Sequence, residues 1–146
     1  MVHSIKWNIL ININKDIAED YIKLIWFDTL VYNVDRHNQN YGLLRHKNNG
    51  KIIGLAPNFD NNIALIAVNK SLDQKPEFDG LIKEFTSFIK ENEDAKKIFK
   101  NLNFPLLVEE TIDKCFKEIN IQVNEDKIKK FIMNRYDFLM NYKSRL

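Results

Sequence analysis

Apolar residues recur at helical spacing over most of this chain and alternate only briefly. From Asn14, whose side-chain oxygen suits an N-cap, "KDIAEDYIKLIWFDTLVYN" sets Ile17, Tyr21, Leu24, Ile25 and Asp28 at helical spacing, with acids in the first turn where the macrodipole favours them. The spacing predicts a helix over about 15–33. Its second half, through Leu24, Ile25, Trp26, Phe27, Leu30, Val31 and Tyr32, is apolar on almost every side, which predicts a central buried helix. The dozen residues before it, "MVHSIKWNILIN", alternate too loosely to specify an element and read as an extended lead-in or a truncated element. Beyond it, "GLLRHKNNGKIIGLAP" holds two short runs around Asn49-Gly50, a pair suited to a turn whose two positions need φ > 0. That predicts a hairpin of 42–47 with 51–56. After Pro57 come an irregular "NFDNN" and a poorly patterned stretch to about 78. Helical spacing then returns: Asp79 caps "GLIKEFTSFIKEN", "EDAKKIFKNL" follows, Pro105 sits at N1 of "PLLVEETIDKCFKEIN", and Asn124 caps a final helix to about 142. The predicted fold class is mainly α with a small β-hairpin.

Composition narrows the classes. At 146 residues and 45% hydrophobic, the chain suits one ordinary domain around a single core, and no repeat, low-complexity tract or linker divides it. Its 22 basic residues nearly balance 20 acidic ones, leaving +2, so bulk charge points to no nucleic acid and no acidic partner. The final helix carries a basic side, read as a solvated face behind Ile128, Phe131, Ile132, Tyr136 and Leu139. Cys115 has no partner for a disulfide or a structural zinc site and reads as a small apolar residue on a helix, which suits a reducing cytosol. No leader pattern opens the chain, and apolar runs such as "IALIAV" are too short to span a bilayer. A soluble, cytoplasmic protein without membrane contact is the expectation.

The chemistry concentrates in "FDTLVYNVDRHNQNYG", residues 27–42. Pairing the hairpin about Asn49-Gly50 sets Asn40 opposite Phe59 and Gln39 opposite Asp60, which brings the Asp60 carboxylate beside the Asn40 amide, with Asp35 just upstream. Mg²⁺ takes a few hard oxygen ligands and keeps waters or phosphate oxygens, so an Asp with an Asn makes a partial shell for a metal shared with a nucleotide such as ATP. Asp35, spaced away from that shell, is left to accept a proton from a hydroxyl. Asp28 lies two helical turns before Asp35 among Trp26, Phe27, Leu30 and Val31, and an acid there must be paired, protonated or solvent-connected. The reading preferred is that it accepts hydrogen bonds from the loop and fixes its shape, while Arg36 and His37 brace the loop. His3 and His46 lack co-ligands.

An Asp, four residues, an Asn, a hairpin and a further Asp is the order of a kinase catalytic loop and its metal-binding Asp. "FDTLVYNVDRHNQNYGLL" with "LAPNFDNN" resembles the HipA-type kinase family, whose loop runs N-x-D-R-H-x-x-N and whose metal Asp follows an A-P-x-[FY] segment. The resemblance covers residues 27–62. It implies Asp35 as the catalytic Asp, Asn40 and Asp60 as metal-holding residues, and Asn33, Arg36 and His37 as loop residues of the same motif. It further implies a helical C-terminal kinase lobe, Mg²⁺ and ATP as cofactor and co-substrate, and phosphoryl transfer to a serine or threonine hydroxyl of a protein substrate. Such kinases often act as toxins held by a DNA-binding antitoxin. The four glycines, Gly42, Gly50, Gly54 and Gly80, form no phosphate cradle, so the nucleotide-clamping N-terminal lobe is expected to be absent here, the chain reading as a shortened gene product, one half of a split pair or an excised piece. The alternative is a non-catalytic kinase-lobe module that pairs with a partner chain or regulator. A stand-alone metal-dependent hydrolase would need more carboxylates near the same three residues.

Overall fold

The computed structural model describes residues 2–37, 39–61, 64, 65, 72–118 and 123–146, with backbone alone for residues 2–6. It contains helices α1 (Val2–Ile13), α2 (Lys15–Val31), α3 (Gly80–Glu91), α4 (Glu93–Asn101), α5 (Glu109–Glu118) and α6 (Glu125–Ser144). Strands β1 (Leu43–Arg45) and β2 (Ile52–Leu55) form one antiparallel hairpin, and a 3-10 turn spans Pro76–Phe78. Mainly α with a small hairpin is the architecture.

Helix α2 is the axis. Asn14 caps it by accepting the Asp16 N–H at 2.8 Å, and α1, α3, α4, α6 and β2 pack around it. Ile17, Ala18, Ile22, Ile25 and Leu30 are buried along its length. Phe27 departs from the expected all-round burial: it is 37% exposed. The opening segment is a helix rather than an extended lead-in. Its own pattern is weak, but Trp7 and Leu10 are buried, and Trp7 meets Phe88 of α3 edge to face with centroids 5.6 Å apart. Tertiary packing supplies what periodicity does not.

Around α2, Phe85, Phe99, Leu102, Tyr136 and Leu139 complete one apolar cluster. Trp26 stacks on Phe104 at 4.1 Å, and the Tyr136 hydroxyl donates to the Pro105 carbonyl at 3.2 Å. Those contacts hold 104–108 outside any helix. Consequently α5 starts at Glu109, and Pro105 is not at its N1 position. Asp79 and Asn124 cap α3 and α6 as the sequence predicts, accepting the N–H of Ile82 at 3.1 Å and of Lys127 at 3.0 Å. Cys115 lies on α5 and is exposed, so it is not a core residue.

The hairpin is present, but its register differs from the predicted one. Leu43 faces Leu55 and Leu44 faces Gly54, whereas Arg45 faces Ile52, with an irregularity between Leu44 and Arg45. The His46 N–H donates to Lys51 and the Gly50 N–H to His46, so the loop holds residues 47–50 rather than two. Gly50 alone of the Asn-Gly pair takes a left-handed backbone, at φ 66°. Residues 62, 63 and 66–71, which include most of the apolar run at 63–68, lie outside the described residues, as do Asn38, the His3 side chain and residues 119–122. Among the described residues no helix is long and apolar enough to cross a membrane.

Candidate functional site

The site begins where α2 stops. Tyr32 turns left-handed at φ 55°, and both its N–H and that of Asn33 donate to the Asp28 carbonyl. This reversal carries the chain back over the last helical turn. Asn33 therefore reaches Asp28 with its side chain as well, Nδ2 donating to Oδ1 at 3.0 Å.

Arg36 completes the enclosure of that carboxylate. Its Nε donates to Asp28 Oδ2 and its Nη2 to Asp28 Oδ1, both at 2.7 Å, with the two side chains 5% and 6% exposed. A forked, charge-assisted pair of this kind is short and directional, and the apolar surroundings strengthen it. The rest of the guanidinium crosses to the returning hairpin. Nη1 donates to the carbonyls of Asn40 at 2.6 Å and Phe59 at 2.9 Å. Nη2 donates to the Oδ1 atoms of Asn58 at 2.8 Å and Asn61 at 2.7 Å, and Asn33 Nδ2 also donates to Asn61 Oδ1 at 3.3 Å. Arg36 thus ties both halves of the sequence motif to the end of α2. The planar fork does this where lysine's compact ammonium does not.

Asp35 is held by its backbone. Its N–H donates to Asn33 Oδ1 at 3.2 Å and its carbonyl accepts from Asn40 Nδ2 at 2.8 Å. Its side chain is 39% exposed, with Oδ2 3.9 Å from His37 Nε2, and His37 Nδ1 accepts the Gln39 N–H at 3.2 Å. Asp60 is exposed and takes φ 57°, a backbone that Asp tolerates better than most residues. Its neighbours Phe59 and Asn61 are the ones bound to Arg36. Val34, Arg36 and His37 of the loop, with Leu81, Glu84 and Phe85 of α3, line a cleft of about 570 Å³, to which neither Asp35 nor Asp60 contributes.

No family model, no curated protein and no solved structure matches this chain. The resemblance to HipA-type kinases therefore rests on the sequence motif alone.

The magnesium expectation is overturned. Among the described residues no group of three or more His, Cys, Asp or Glu side chains is arranged to hold a metal ion. Asn40, 2% exposed, donates its Nδ2 to the Asp35 carbonyl, and Arg36 Nη1 bridges the carbonyls of Asn40 and Phe59. The magnesium site that the motif implied at Asn40 and Asp60 is withdrawn.

Arg135 was missed in the sequence reading. Its Nη1 lies 2.8 Å from Asp79 Oδ2, and its Nε and Nη2 donate to the Thr29 carbonyl, the Nε bond at 2.8 Å. Burial pulls the guanidinium below its ordinary pKa, and the bond and charge of Asp79 oppose that shift. The available signal was its position four residues beyond Phe131 and four before Leu139, a charge on the apolar stripe of α6.

Proposed function

We propose that the chain is the helical lobe of a HipA-like kinase fold, contributing the proton-accepting half of a phosphotransfer site. Asp35 accepts the proton of a protein serine or threonine hydroxyl, and a lobe outside these 146 residues holds the nucleotide. The observation that carries this reading is the Arg36 network: one guanidinium joins Asp28, Asn40 and residues 58–61, the segments that the family motif names. A loop braced before any ligand arrives is what a positioning mechanism requires, because a general base must be held within hydrogen-bond reach of its hydroxyl. The half-exposed Asp35 carboxylate fits that role, being open to a hydroxyl that approaches from solvent.

A second reading, a non-catalytic lobe that only pairs with another chain, is favoured by the absence, among the described residues, of a group of His, Cys, Asp or Glu side chains arranged to hold a metal. The two are separated by pairing the chain with a β-rich, nucleotide-holding lobe, fused to it or supplied separately, and following transfer of labelled phosphate from ATP to protein hydroxyls. The first reading expects transfer by the pair alone, reduced about 10²–10⁴-fold in Asp35→Asn. A stable pair without transfer supports the second reading, and transfer unchanged in Asp35→Asn contradicts the first.

A further inference from the structure

The end of α2 has a carbonyl that the helix itself does not use. Along a regular helix the Asn33 N–H would donate to Thr29, but it donates to Asp28 instead, at 2.8 Å, because Tyr32 has turned left-handed. The Thr29 oxygen is left to an outside donor, and Arg135 takes it with two nitrogens. Arg135 is 1% exposed. Its guanidinium carbon lies 5.1 Å from the Tyr32 ring centroid and 5.0 Å from that of Phe131, while Asp79, 0% exposed, holds the fork from the first turn of α3. One buried cation therefore touches the last turn of α2, the residue that reverses the chain, and the start of α3.

We propose that Arg135 is a positioning residue for the loop carrying Asp35: by holding the Thr29 carbonyl and the Tyr32 ring, it sets the reversal that places Asn33 and Arg36 on Asp28. The role rests on the reading of that loop given above. Asp79 is its anchor, keeping the guanidinium charged and oriented inside an apolar shell. The position selects arginine, since the same side chain serves a carboxylate and a carbonyl at an angle that lysine does not span.

The test is amide hydrogen exchange at Asn33 and Asp35 in the chain alone, with no nucleotide and no partner, so that failure of the phosphotransfer reading leaves it intact. Arg135→Lys is compared with Phe99→Leu, a core variant in α4, at denaturant concentrations giving equal global stability. Loss of hydrogen bonds from a charged group is expected to speed exchange at both loop amides about tenfold in Arg135→Lys relative to the matched control. Equal rates in the two variants would overturn the proposal, because the effect would then be global stability alone. Should Arg135→Lys fail to fold, Asp79→Asn, whose side-chain oxygen still caps α3, is read by the same criterion.

Discussion

Two buried Arg–Asp pairs stand near the end of α2, and they differ in how their members meet. Arg36 and Asp28 are eight residues apart, on a helix end and the loop it feeds; Arg135 and Asp79 are 56 apart, on α6 and at the start of α3. The near pair shares its arginine with several carbonyls and side chains of the hairpin return, which gives Arg36 other acceptors when Asp28 is altered. The distant pair is more enclosed, and apart from Asp79 its arginine takes the Thr29 carbonyl and two aromatic faces. The first pair shapes a loop; the second fastens the ground beneath it. Stability should therefore depend more on the distant pair, and loop geometry on both.

The largest expected effect comes from Arg135→Met, which leaves Asp79 buried without its countercharge and should destabilise the chain by about 3–5 kcal/mol in urea unfolding. Adding Asp79→Asn should recover much of that loss, since the stranded charge is then gone. A double variant as unstable as the single one would show that the arginine's other contacts carry the cost. Next comes Asp28→Asn, expected at about 2 kcal/mol because Arg36 keeps its remaining acceptors. If Asp28→Asn proves costlier than Arg135→Met, the contrast between the pairs is reversed. Asn124→Ala, which removes the α6 cap far from both pairs, gives the smallest effect, about 1 kcal/mol, and calibrates the other two on the same instrument.

The same contrast explains which parts were legible from residues alone. Helix pitch and turn chemistry act over a few positions, so α2, α3, α4 and the caps at Asn14, Asp79 and Asn124 could be read directly. The enclosure of Asp28 was also local: an acid among apolar residues, followed within one reversal by an Asn and an Arg, has few other places to send its charge. Helix α1 was not legible because Trp7 and Leu10 gain their burial from elements far along the chain. Pro105 misled for a related reason, since a proline near a helical pattern invites an N1 assignment, yet Trp26 and Tyr136 hold its surroundings extended. The hairpin failed in detail through one short-range choice. A loop over 47–50 replaces the two-residue turn at Asn49-Gly50, so every facing pair shifts. The magnesium site was read from two oxygen-bearing residues, and among the described residues no group of three or more His, Cys, Asp or Glu side chains is arranged to hold a metal ion. Arg135 lay in plain view on an apolar stripe, but its partners, Asp79 and Thr29, are fixed only by the fold.

The central claim is that Arg36 holds the loop of Asp35 in shape before any nucleotide or partner arrives. NMR of the Arg36 guanidinium in the ligand-free chain tests it most directly. Resolved, slowly exchanging Nε and Nη signals, of which Nε, bonded to Asp28 alone, loses protection on Asp28→Asn while Nη1 and the helical amides of α4 stay protected, are the expected result. A single averaged Arg36 signal at the position of a solvent-exposed arginine in the wild-type chain would contradict it.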